Sequence, residues 1–253
     1  MQANIQENMQ ENMQQENQQE QSQPQQEKQE KQKQTRKSYS SRKKTLKRSP
    51  QKLNRLYEGL NGFDIKRISG FGIKIEDMPQ EHSTVYGELV DESIPVLYEI
   101  FQKYAPISKI SSPYRNFYDL GSGIGKVVIG MAYQNSLLKS TGVEVLAERI
   151  VQANTALSRL KDDSVRRRIE FLCLSIYDDS INYSNACWVY LSNLAFTYEV
   201  NDKIFIKLAN ELKKGSIVVS SKPCIYSNFD QINHTSLPTS WSNESKVYVY
   251  IKN

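Results

Sequence analysis

Residues 116–126 read NFYDLGSGIGK: a short run of aromatic and branched residues, glycines at positions 121, 123 and 125, and a lysine opening a helix-spaced segment over 126–134. The first part suits a buried strand and the last an α-helix. Glycines between them permit a tight turn and let a ligand approach the main chain closely. A strand that passes through such a loop into a helix is the opening unit of an α/β sheet, and the loop borders the crevice where ligands bind.

Four more segments have the same strand texture: STGVEV (140–145), RIEFLCL (168–174), ACWVYLS (186–192) and GSIVVSS (215–221). Helical patterns separate them at 126–134, 146–160 and 199–212, with Gly215 placed to stop the last. Strand and helix in alternation predict a parallel sheet with crossover helices on both faces. The end differs. KVYVYIK (246–252) alternates strictly and follows residues 237–241 across a short polar link, which predicts a terminal antiparallel hairpin.

At 253 residues, 38% hydrophobic and 24% charged, the chain has room for one such domain and some chain left over. No run approaches eighteen apolar residues, and the first thirty positions carry neither a secretory nor an organellar leader pattern, so the expected location is cytosol or nucleus, with no membrane association. Cys173, Cys187 and Cys224 are odd in number and widely spaced. They offer no disulfide framework and no metal site, and read as reduced packing residues.

Charge divides the chain into three parts. Residues 1–30 carry a net −5, residues 31–55 carry +11 without a single acid, and residues 56–253 carry −1. The Gln-rich tail over 1–34 lacks apolar periodicity and is expected to be disordered. A basic arm follows over 35–55, with the cationic run beginning at Lys31 and ending at Arg55. Such a run suits phosphate contact by counterion release, or a nuclear import signal. A folded domain over 56–253 completes the organisation.

Three ligand classes use a glycine loop of this kind. A phosphate-binding P-loop needs a hydroxyl after its lysine, where Val127 stands, and the spacing also fails. A dinucleotide fingerprint needs a third glycine where Lys126 stands. S-adenosylmethionine fits better: Asp119, just before the glycines, suits its cationic end, and Glu144, at the tip of the second strand, can accept from ribose hydroxyls.

The run YDLGSGIGK, then GVE, SNLAF and SSKP, with VYGE upstream, resembles the catalytic core of the disruptor-of-telomeric-silencing family over about residues 84–252. These are non-SET methyltransferases acting on a lysine of the globular face of histone H3 in nucleosomes. The resemblance implies the class I S-adenosylmethionine-dependent methyltransferase fold, a Rossmann-like, mostly parallel seven-stranded sheet ending in an antiparallel hairpin. It also implies that Tyr86 and Glu88 fold over the methionine end of the cofactor. Asp119 and the loop from Gly121 through Ser122, Gly123 and Gly125 to Lys126 would form its cradle, Glu144 would hold the ribose and Tyr177 would stack near the adenine. Ser192, Asn193 and Phe196 would line a lysine channel closed on its other side by Trp241, Tyr248 and Tyr250.

Departures from the family pattern fall at Lys126, a cation near the cofactor's own positive region, and at Ile176, where an acid usually meets the adenine, with Asp178 the nearest substitute. Ser192, Leu194 and Val249 depart in the channel. The implied activity is methylation of a histone H3 lysine in the nucleus, with nucleosome and DNA as partners through residues 31–55. Two other readings stay open at this point: a methyltransferase for another protein lysine or a nucleic-acid base, and a chromatin-binding module without catalysis.

Overall fold

The computed structural model describes residues 51–63 and 86–253, and of residues 51 and 52 only the backbone. The Gln-rich tail and most of the basic arm lie outside the described residues. Seven strands form one sheet: β1 Asn116–Leu120, β2 Lys139–Glu144, β3 Ile169–Cys173, β4 Ala186–Leu191, β5 Ile217–Ser220, β6 Phe229–Leu237 and β7 Ser245–Lys252. Their order is β3-β2-β1-β4-β5-β7-β6. β1 to β5 are mutually parallel, and β7 runs antiparallel to both β5 and β6.

Every residue of β1, β4 and β5 is buried. That follows from a parallel sheet covered on both faces, where apolar runs need no alternation. One face packs under α1 Gln51–Leu56, α2 Ser93–Tyr104 and α3 Lys126–Gln134, around Phe101, Phe117, Ile129 and Trp188. Phe101 and Trp188 stack there with ring centroids 5.1 Å apart. On the opposite face α6 Tyr198–Glu211 contributes Val200, Ile204, Phe205 and Leu208 to a second core around Leu120, Val143, Val189 and Val218. α4 Ala147–Ser158 follows β2, and the short α5 Asp163–Arg166 leads into β3.

Two expectations need correction. The domain was expected to begin at residue 56, yet α1 starts at Gln51 and buries Leu53, Leu56 and Tyr57, so the last residues of the basic stretch are folded. Two leucines three apart inside a cationic run are enough to make one apolar helical face. The hairpin's first strand is β6, nine residues ending at Leu237, and not residues 237–241. β6 lies at the sheet edge, buries only its two ends and carries a register shift between Gln231 and Asn233, so it lacks an apolar signature. Among the described residues no helix is long and apolar enough to cross a membrane.

Candidate active site

The turn after β1 is built as its sequence requires. Gly121, Gly123 and Gly125 all have positive φ, at 85°, 55° and 81°. An added Cβ at Gly125 would lie 2.4 Å from the Phe171 ring, and one at Gly123 would lie 2.4 Å from the Tyr86 ring. Glycine is thus required twice over, by backbone geometry and by the close approach of aromatic rings. Gly121 and Ser122 donate their N–H groups to Val143 O at 2.9 and 3.0 Å, pinning the turn across the tip of β2.

Glu144 ends β2 and is 4% exposed. Gly123 N donates to its Oε2 and Leu146 N to its Oε1, each at 3.0 Å. Two backbone donors hold the carboxylate in one orientation and leave further lone pairs for a ligand. Asp119 is buried at the end of β1, and burial, with the nearby Glu144 charge second, pushes its carboxyl up to about 8.

Above the glycines lies a flap. The Tyr86 hydroxyl donates to Glu88 and accepts from Ile124 N at 3.4 Å, and burial, with Glu88 second, holds its phenol well above the ordinary tyrosine range. Lys126 Nζ pairs with Glu88 Oε2 at 2.5 Å and sits 5.6 Å over the Tyr57 ring. Its charge is therefore neutralised within the flap. The β6–β7 turn clamps the same segment: Ser240 N donates to Glu88 O at 2.8 Å, Leu89 bridges Thr239, and a Cβ on Gly87 would fall 2.0 Å from the Trp241 ring.

A cavity of about 470 Å³ opens between these parts, walled by Tyr86, Gly121, Glu144, Ser192 and Phe196 among the expected site residues, together with Leu194 and Trp241. Its size is that of a small-molecule site. Leu194 and Trp241 are about half exposed and form the mouth. Ser192 also reaches the buried Tyr190 hydroxyl.

Several expected residues stand elsewhere. Asn193 is fully buried and its amide is spent on the scaffold: Nδ2 donates to Asn201 Oδ1 at 2.5 Å, while Oδ1 accepts from Ser221 N and Lys222 N at 3.0 Å each. It ties the ends of β4 and β5 to α6 and does not line the cavity. Tyr248 pairs with Ser220 and His234 inside the sheet, and the Tyr250 hydroxyl accepts from Cys224 N at 2.8 Å, so neither closes the channel. Ile176 takes the wall position expected of Tyr177, whose ring lies 5.0 Å from Lys203 Nζ. Asp178 binds Ser180 in a turn. Glu88, Asp119, Ser122, Gly123, Gly125 and Lys126 are not among the residues that wall the cavity; Asp119 is buried beneath it at the end of β1. Arg149, buried in the cavity wall, carried no motif and was not expected.

The residues present fit S-adenosylmethionine. Glu144 lies on the cavity wall with its oxygens oriented by two backbone donors and lone pairs left for ribose hydroxyls, and Gly121 brings the main chain to the same surface. Seven strands with the last inserted in reverse, and a cavity at the carboxyl ends of the parallel set, define the class I methyltransferases.

Known proteins agree. The family model described as histone methylation protein DOT1 matches residues 74–250. A protein-lysine N-methyltransferase of Saccharolobus islandicus (strain REY15A) is 28% identical over 127 residues, 50% of this chain and 73% of that protein. A Staphylococcus aureus structure provisionally described as a caffeoyl-CoA O-methyltransferase is 10% identical, with a TM-score of 0.52 over 87% of this chain and 99% of that one; the likeness is one of fold. The chain belongs to the DOT1 histone methylation family. It is a methyltransferase, and the residues of its cavity suit S-adenosylmethionine as the methyl donor.

Proposed function

We propose that the acceptor is a lysine on the globular face of histone H3 within the nucleosome, that the protein acts in the nucleus, and that residues 31–55 contact DNA. One observation supports the acceptor class: apolar Leu194, Phe196 and Trp241 stand together on the cavity wall, with Leu194 and Trp241 about half exposed. Such a wall suits the aliphatic stem of a lysine side chain.

When bound, S-adenosylmethionine supplies a methyl carbon on a sulfonium, which a neutral amine attacks in line. Gly121 and Glu144 would hold it, with Tyr86 on the same wall. A lysine amine has an ordinary pKa near 10.4 and is protonated in neutral water. Walls of Leu194, Phe196 and Trp241 strip solvent from the ammonium and lower that pKa, so the proton leaves to water before attack. They also align the amine, and orientation contributes strongly to such displacements. His234 is an exposed residue of β6 and serves no part of this step.

Incubation of the full chain with nucleosomes and methyl-labelled donor, followed by mass spectrometry, is expected to place label on one histone H3 lysine. Label confined to other proteins would favour the second reading, a non-histone lysine, which the likeness to a protein-lysine N-methyltransferase of Saccharolobus islandicus supports.

A further inference from the structure

Three side chains along one stripe of α4 and its end grip the main chain of residues 56–62. Arg159 Nη1 donates to Leu56 O at 2.8 Å and to Glu58 O at 2.7 Å. Gln152 receives Asn61 N at 2.7 Å and donates to Asn61 O at 3.0 Å. Arg149 Nε donates to Gly62 O at 3.3 Å. Positions 149, 152 and 159, with buried Ala156 between, fall on one helical face. The stripe therefore holds the segment after α1 along its whole length.

Its inner end reaches the cavity. The Arg149 guanidinium is 4% exposed, lies 4.4 Å from the Tyr86 ring centroid and places Nη1 3.8 Å from Glu144 Oε1. The gripped segment touches the same ring: Phe63 meets Tyr86 edge-on at 4.9 Å, and a Cβ on Gly62 would lie 2.3 Å from it. Tyr86 is thus set by Arg149 on one side and by a segment that Arg149 itself fastens on the other. A planar, permanently charged group suits this position, since it can stack on a ring, bond a carbonyl and face a carboxylate together.

We propose that Arg149 is a positioning residue for methyl transfer, fixing the Tyr86 flap over Glu144 and joining the cofactor pocket to the segment that continues from the basic arm. The proposal rests on reading the cavity as the methyl-donor site. Glu144 holds its orientation through backbone donors, so the effect of Arg149 on the ligand passes chiefly through the tyrosine.

The test uses the full chain, S-adenosylhomocysteine as probe, isothermal calorimetry, and thermal unfolding of the ligand-free protein. Arg149→Lys keeps the charge but neither stacks flat nor spans to Gly62 O. It is expected to weaken probe binding about tenfold, the scale of losing one charge-assisted contact, with the ligand-free unfolding midpoint shifted by less than about 2 °C. Combined with Tyr86→Leu, the two losses are expected to be non-additive, because both remove one contact. Wild-type affinity in Arg149→Lys, strict additivity, or an unfolded Arg149→Lys chain would each overturn the role. A wild-type chain that ignores the probe overturns the reading of the cavity, and the proposal with it, and is told apart by that control alone.

Discussion

Asp119 makes the site sensitive to pH. Its carboxyl moves from an ordinary 3.8 to about 8 in the folded chain, because burial and Glu144 both disfavour ionisation. A raised folded pKa means stability that is fully present below about 4 and lost as pH rises through about 8. The ligand-free chain should therefore unfold at lower temperature at pH 8 than at pH 5, and Asp119→Asn should flatten that slope. Asn193→Ala gives a second expectation at this scale. It removes the donor to Asn201 Oδ1 and leaves the N–H groups of Ser221 and Lys222 only their second acceptors, Leu191 O and Ser220 Oγ, and should cost about 1–3 kcal/mol in urea unfolding while leaving probe affinity near that of the wild type. Much of the site was legible in the residues: Gly121, Glu144, Tyr86, Ser192 and Phe196 meet at one cavity. Asn193 was misplaced because a polar residue at a strand end can face a ligand or a neighbouring strand, and sequence does not say which. Arg149 was invisible because its role depends on residues 62 and 86, far away along the chain.

Elements with strong periodicity were the legible ones. The helix expected over 126–134 is Lys126–Gln134, and those expected over 146–160 and 199–212 are Ala147–Ser158 and Tyr198–Glu211. Capping explains the last start, since Thr197 accepts from Val200 N at 3.3 Å. β6 and α1 escaped because each mixes polar residues into its pattern, and only the sheet edge and the neighbouring helices give them their burial. α1 supplies a test. Removing residues 1–50 should leave the unfolding midpoint within about 2 °C of the full chain, whereas removing residues 1–63 strips Leu53, Leu56 and Tyr57 from the core and should lower it sharply, at about 1.5–3 kcal/mol per large buried side chain. The longer deletion should also weaken probe binding, since Phe63 and the Gly62 carbonyl leave with it.

Across the whole molecule, charge and chemistry occupy separate stretches. Nine of the eleven basic residues of the 31–55 run fall within residues 31–50, and the domain over 56–253 is close to neutral. Affinity for a DNA duplex should therefore fall steeply between 50 and 200 mM salt, with a slope near −0.9 per phosphate contacted, and a chain lacking residues 31–50 should lose most of both affinity and slope. Its kcat on free histone H3 should change little. The strand order carries one more consequence. β7 lies between β5 and β6, yet it is synthesised after every other strand. While translation is still short of it, β5 presents a bare edge, β6 has no neighbour, and the turn bearing Trp241 has nothing to fasten it over Gly87. Until β7 is in place the sheet would thus stay open and catalytically silent, a substrate for chaperones and proteases, and the enzyme would become competent only when that strand inserts.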